Sequence, residues 1–160
     1  MSPYARFVAS VSQFLNAHGI YLGRRSTPVH VALYRWSRGR LGGHLPGWPD
    51  ARVLLLDHVG ARSGVRRTSP LMYLLEGDFV AVAASKAGQP SHPAWFHNLM
   101  AHPDTTIQIG PVVRRVHARV ASPAERDRLW PRFVAFYPGY EFYRRHAAGR
   151  TIPIVILEPR

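Results

Sequence analysis

The sequence predicts an α+β domain, mainly β, built on a small antiparallel barrel of about six strands with helices at its flanks. Three observations carry this. Short apolar runs recur between turn signals from residue 51 to the end. The helical segments between them are too few to serve as crossovers joining parallel strands. One stretch, Val112 to Ala121, sets Val116, Ala118 and Val120 against Arg115, His117 and Arg119, and with Val113 it reads as a strand with one buried and one wet face. A chain of 160 residues is large enough to bury its own core as one domain.

From Tyr4 to His18, Phe7, Val8, Val11, Phe14 and Leu15 fall at the spacing of one helix face. Thr27 and Pro28 form a cap and first-turn pair for a second helix that Gly39 and Gly42-Gly43 stop. Residues 1–50 therefore read as a helical arm ending in a linker, GGHLPGWPD, and residues 51–160 as the barrel. Arginines at 24, 25, 35, 38 and 40 beside Tyr34 and Trp36 make the arm cationic and amphipathic. Three seats are open to it: an anionic membrane surface, the barrel, or a second subunit.

Within the barrel, Arg52–Val59, Arg67–Leu75 and Phe79–Ser85 read as strands, the last two joined by a Glu76-Gly77-Asp78 hairpin. Pro93 opens a short helix, AWFHNLMA, which Pro103 ends. Thr105–Ile109 and Val112–Ala121 are two further strands joined at Gly110-Pro111. Ser122-Pro123-Ala124-Glu125 is a capping box with proline at the first helical position, and the helix it starts runs through Leu129, Trp130, Phe133 and Val134, with Pro131 marking a place for a kink. Pro138-Gly139 breaks the chain before a helical turn or two over Tyr140–His146, and Ile152–Leu157 closes the sequence as a strand.

Twenty arginines and one lysine, Lys86, stand against nine acids, a formal charge of +12. Such a surface draws anions from solution: nucleic acid, an anionic membrane face, or a polyanionic small molecule. The plain alternative is that arginine has replaced lysine throughout and stays solvated. Cysteine is absent, which excludes disulfides and thiolate chemistry. The first residues show no clean signal-peptide pattern, and no apolar run approaches the roughly 20 residues of a membrane span. A cytoplasmic protein is the expectation, membrane-associated if the arm binds lipid.

The stretch from Val59 to Leu99 carries the chemistry. Its first turn, GARSGVRRTSP, holds three arginines among two glycines, and guanidinium groups pair bidentately with phosphate or carboxylate oxygens. Its second, AASKAGQPSHP, ends a strand with small residues on which a flat ligand can lie, then offers a hydroxyl and the ammonium of Lys86. A solvated hairpin explains either turn alone; the two together point to an elongated anionic guest. The chain has neither the P-loop spacing nor GxGxxG after a strand. His92, His97 and His102 are spaced by five with no carboxylate between them, which fits no metal site. Tyr137, Tyr140 and Tyr143 recur every three residues, as a core face or as a pocket wall whose hydroxyls need polar partners. With no nucleophilic serine motif and no acid pair, an enzyme of this sequence takes its hard chemistry from a cofactor.

With these motifs in order, Val53 to Pro159 resembles the deazaflavin-dependent nitroreductase family, on G-A-R-S-G-x-x-R-T-x-P-L, A-S-K-x-G, H-P-A-W-F-H-N-L-x-A-x-P, Y-P-x-Y-x-x-Y and R-T-I-P-I-V. The resemblance implies a split β-barrel like that of flavin reductases and pyridoxamine oxidases, with coenzyme F-420, an 8-hydroxy-5-deazaflavin, as cofactor. It implies that Arg62, Ser63, Arg67 and Lys86 hold the phosphate and glutamate tail. Thr68, Pro70, Leu71, Ala84 and Ser85 would meet the ring, supported by Trp95 and Asn98. Ser85, Tyr137, Tyr140 and Tyr143 would contact the acceptor, a quinone or nitro-aromatic compound that receives a hydride. The chain departs from the family pattern at Ala61, Ala87 and Phe96. A flavin mononucleotide (FMN) reductase or carrier of the same barrel class is the alternative, and a basic nucleic-acid binder a more distant one, because the arginines form no continuous stripe. A homodimer would cover exposed strand edges.

Overall fold

The computed structural model describes residues 23–160, and the helix expected over Tyr4–His18 lies outside them. Helix α1 spans Gly23–Trp36, so Pro28 sits inside it instead of opening it after Thr27. Proline has no N–H to give the backbone ladder, so the helix forgoes one hydrogen bond in its second turn. The segment read as a linker folds as a hairpin. Strand β1 (His44–Leu45) turns through Pro46 and Gly47 into β2 (Trp48–Val59), which therefore begins before the expected Arg52. Proline followed by a left-handed glycine, φ 80° at Gly47, makes a tight turn that composition alone does not distinguish from a linker.

Strands β3 (Arg66–Glu76) and β4 (Phe79–Ala83), helix α2 (Ala94–Ala101), and strands β5 (Asp104–Ile109) and β6 (Val112–Val120) follow within about two residues of expectation. Helix α3 (Pro123–Phe136) carries the expected capping box, Ser122 accepting from the Glu125 amide and Glu125 from the Ser122 amide. Helix α4 (Gly139–His146) and strand β7 (Ile154–Pro159) complete the chain, β7 starting two residues later than Ile152.

The strands run β2-β3-β4-β7-β6-β5, all antiparallel, and β5 pairs back onto β2 through Leu55↔Gln108 and Leu56↔Ile107. The result is a closed six-stranded split barrel, with β1 added outside β2. Inside it pack Leu54, Leu56, Tyr73, Val80, Val82, Ile107, Val116 and Leu157, with Trp95 and Leu99 of α2 as the plug. The opposite faces of β4 and β7, Ala81, Ala83, Ile154 and Ile156, are buried too, under Leu129, Phe133 and the tyrosines of α3 and α4. Two covered faces explain why these strands read as unbroken apolar runs. The β6 pattern is only half as deep as expected. Val116 and Ala118 are buried, but Val113 points outward, opposite in parity to them, and Val120 is exposed at the strand end.

Helix α1 packs on the barrel through Tyr34, which is 1% exposed. Its hydroxyl donates to the Val53 carbonyl (2.9 Å) and accepts from the Gly110 amide (2.9 Å), and burial pushes this phenol above its ordinary pKa. The β3–β4 ladder begins only at Tyr73↔Val82, so the edge of β3 at residues 70–72 is left open on the β4 side. Proline is tolerated where a ladder is missing. Pro70 stands there.

Candidate active site

Three pieces meet at one end of the barrel: the β2–β3 turn, the loop leaving β4, and α2. The turn Gly60–Val65 is closed by Gly60 N–H to the Val65 carbonyl (2.9 Å) and Gly64 N–H to the Gly60 carbonyl (2.8 Å). Arg62 and Ser63 are exposed on it, and the Ser63 hydroxyl accepts from Val65 N–H. Beneath it lies buried Asn98 of α2. Its Oδ1 accepts from Ala61 N–H (2.9 Å), its Nδ2 donates to His58 Nδ1 (2.8 Å), and His58 Nε2 donates to Ser69 Oγ (3.0 Å). Burial, reinforced by Arg67, holds the His58 pKa below its ordinary value against the pull of Asp57. A neutral imidazole accepting at Nδ1 and donating at Nε2 is the tautomer that fits both contacts.

The loop leaving β4 brings Ser85 to the same groove as Pro70. Lys86 follows, its ammonium donating to the Ser91 hydroxyl (2.6 Å). This groove, of about 250 Å³, lies over the open edge of β3. Four of the residues singled out from the sequence line it together: Pro70, Leu71, Ser85 and Tyr140. His30, Leu45 and Val53, which sequence reasoning missed, complete its far wall. His30 arrives because α1 docks on the barrel and Leu45 because the supposed linker is a hairpin, events without a local signal in the sequence, while Val53 comes with β2 itself.

Tyr140 is part of a ring cluster. Tyr137, the residue ending α3, meets Tyr140 edge-on at 5.8 Å, Tyr140 meets Tyr143 at 5.9 Å, and the hydroxyls of Tyr137 and Tyr143 lie 3.3 Å apart. All three are buried, and of the three only Tyr140 reaches the groove. Burial raises the Tyr140 pKa strongly, so its phenol stays protonated and available as a donor.

A second, larger hollow of about 840 Å³ lies farther along β3 and shares no lining residue with the groove; Arg66, Arg67 and Thr68 line it, with Arg35 of α1, Arg115 and Arg160. Residues 66–68 and 70–72 are four positions apart on one strand, about 13 Å. Arg35 pairs with Asp57 (3.0 Å) and Arg160 with Asp104, whereas the described ion pairs include neither Arg66, Arg67 nor Arg115. Thr68 turns to this hollow, its hydroxyl donating to Asp57 (2.6 Å). Ala84 and Trp95 are buried in the barrel core and Asn98 beneath the β2–β3 turn, and none of the three lines the groove. The apolar slot, with one hydroxyl and one phenol, suits a flat ring, and the cationic basin about 13 Å along the same strand suits an acidic tail.

Residues 26–159 match the family model described as "F420H(2)-dependent quinone reductase". The chain belongs to that family. The expected resemblance to deazaflavin-dependent enzymes is borne out, and membership makes the chain an F-420-dependent oxidoreductase with coenzyme F-420, in place of the alternative FMN, as its cofactor. A family member from Mycobacterium tuberculosis, a quinone reductase of the same description, is 37% identical over 157 residues, 94% of this chain and 99% of the relative. Another from that organism, named as a putative quinone reductase of this kind, is 45% identical over 108 residues, 68% of this chain and 90% of the relative. Among solved structures, an F-420-H2-dependent reductase (FDR-A) aligns with TM-score 0.61 and 37% identity over 66% of this chain and 93% of its own. A structure described as a domain-swapped dimer aligns with TM-score 0.64 and 32% identity over 84% and 96%.

Proposed function

We propose that this protein reduces a flat, apolar acceptor, a quinone or a nitro-aromatic compound, bound against coenzyme F-420 in the groove between α1 and α4. The observation that carries the reading is the convergence of Pro70, Leu71, Ser85 and Tyr140 on one slot beside a cationic basin. Bound in its reduced form, the coenzyme supplies a hydride. Arg62, Ser63, Arg67 and Lys86 bind its phosphate and carboxylates, as bidentate forks and a point charge. Pro70 and Leu71 form the strand end against which the ring lies, Thr68 turns toward the basin that takes the tail, and Ala84, Trp95 and Asn98 brace the strands from within the barrel.

The acceptor gains a proton as well as a hydride, and negative charge builds on its oxygen between the two. Ser85 and Tyr140 stand on the groove wall as hydrogen-bond donors for that oxygen, with Tyr137 and Tyr143 fixing the Tyr140 ring and closing the acceptor side. Apolar walls from Leu45, Val53 and Leu71 keep water out. The remaining work is positioning.

The exposed faces of α1 support two further expectations. Val29, Leu33 and Trp36 fall on one helical face and are 61%, 45% and 79% exposed, with Arg38 and Arg40 following. Such a stripe suits peripheral contact with an anionic membrane, where apolar quinones dissolve. No helix among the described residues is long and apolar enough to cross one. A homodimer is the other expectation, in keeping with the domain-swapped relative.

Titration with oxidised and reduced coenzyme, followed by a quinone and nitro-aromatic panel, tests the reading. Lys86→Ala weakens coenzyme binding by about 10- to 100-fold, the worth of one charge-assisted contact, while Tyr137→Phe leaves binding intact and slows turnover. Two variants that bind and turn over like the parent refute these roles. A yellow flavoprotein on purification refutes the choice of coenzyme.

A further inference from the structure

We propose that Arg150 is a positioning residue that holds the coenzyme-gripping loop Ser85–Gln89 in its working shape and ties that loop to the tyrosine segment. The inference rests on the reading of Lys86 and Ser85 above. The loop is held against its own preferences: Lys86, Ala87 and Gly88 have φ of 46°, 52° and 78°, three successive left-handed residues of which only one is glycine. Such backbone persists only where surrounding groups over-determine it.

Arg150 supplies that determination. Its Nη1 donates to the Ala84 carbonyl (3.2 Å) and His92 Nδ1 (2.9 Å), and its Nη2 to the carbonyls of Ser85 (2.9 Å) and Gln89 (2.9 Å). Its Nε reaches the Gln89 carbonyl as well, at 3.3 Å. The acceptors include three carbonyls that the sharp turn aims at one point, and the imidazole at the loop's far end. The planar fork of arginine spans such a set; a lysine ammonium, a single point, does not. Among the described ion pairs none involves Arg150, so its charge serves these neutral acceptors.

The other side of the loop is set by α4. A Cβ on Gly88 would lie 2.9 Å from the Tyr143 carbonyl oxygen, so the loop is wedged between Arg150 and the helix carrying the acceptor-side tyrosines. Arg150 itself is fixed in the turn after that helix, its amide donating to the Ala147 carbonyl (2.9 Å). Ser85 lines the groove and the Lys86 ammonium reaches the Ser91 hydroxyl, while the backbone of both is locked from behind.

The test uses Arg150→Ala and Arg150→Lys, with Arg128→Ala as a surface control, in the full-length protein. Hydrogen exchange without coenzyme reads the loop directly: the Gly88 and Gln89 amides, bonded to the Ser85 and Lys86 carbonyls, lose protection in both variants while barrel strands keep theirs. Coenzyme Kd rises about 10- to 100-fold, the worth of one or two charge-assisted hydrogen bonds, and millimolar guanidinium restores part of it to Arg150→Ala. Unchanged loop protection with Kd within about twofold of the parent in a folded variant overturns the proposal. If Arg150→Ala does not fold, Arg150→Lys carries the same two readings. If the parent protein binds no coenzyme, the functional reading fails, and loop protection alone decides the role of Arg150.

Discussion

Replacing Asn98 by Ala removes two hydrogen bonds under the first turn and strands both partners. The Ala61 amide lies near solvent and recovers part of its loss from water, whereas His58 Nδ1, in a residue 5% exposed, recovers little. A buried partner left unpaired costs about 1–3 kcal/mol and an ordinary bond about 1, which sums to about 2–4 kcal/mol. For a domain of this size each kcal/mol moves Tm by about 2–4 °C, so the variant melts roughly 4–16 °C lower. Thermal and urea unfolding measure the loss, and hydrogen exchange locates it at the Ala61 amide. Asn98→Asp sharpens the test. Its carboxylate still accepts from Ala61 N–H but cannot donate to neutral His58, so the imidazole takes a proton and its pKa moves up from its depressed value. An Asn98→Ala variant within about 0.5 kcal/mol of the parent, the scatter of ordinary surface changes, refutes the network as drawn.

Three other outcomes follow from the geometry. His58 has its folded pKa depressed, so its contribution to stability is complete above the unfolded value of about 6.5 and is lost as pH falls through the folded pKa; NMR titration places its midpoint below 6.5, and His58→Gln flattens the acid limb of the stability curve. Gly139→Ala drives a Cβ to 2.3 Å from the Tyr137 ring and displaces that tyrosine, so turnover falls more than coenzyme affinity in steady-state assays. Ser122→Ala breaks the capping box of α3 and lowers stability by about 1 kcal/mol in urea titration, with coenzyme affinity unchanged because α3 lines neither the groove nor the basin.

Local signals in the sequence suffice for much of the local structure, though not for the Pro46-Gly47 hairpin or the start of α1. The Ser122–Glu125 box, the Gly77-Asp78 turn and the covered strands β4 and β7 are legible because each is dictated by residues within a few positions. What the sequence concealed is assembly over distance. Closure of β5 onto β2 pairs Leu56 with Ile107, and nothing in the periodicity of either strand names its partner. The same holds at the site. Pro70, Leu71, Ser85 and Tyr140 were identifiable by motif, but His30 enters the groove through helix docking, and Arg150 reaches the Ser85 carbonyl across 65 positions. Thr68 shows the reverse: its motif places it with the ring contacts, while the nearby carboxylate of Asp57 turns its hydroxyl toward the basin. A side chain on a strand end answers to its closest charged neighbour before any guest arrives.

The central claim is the placement of ring and tail along β3. A crystal structure of the complex with coenzyme F-420 tests it most directly. The deazaflavin ring is expected in the groove against Pro70, Leu71 and Ser85, with its phosphate and carboxylates among Arg62, Arg67 and Lys86. A ring seated elsewhere, with those three cations turned away from the bound molecule, contradicts it.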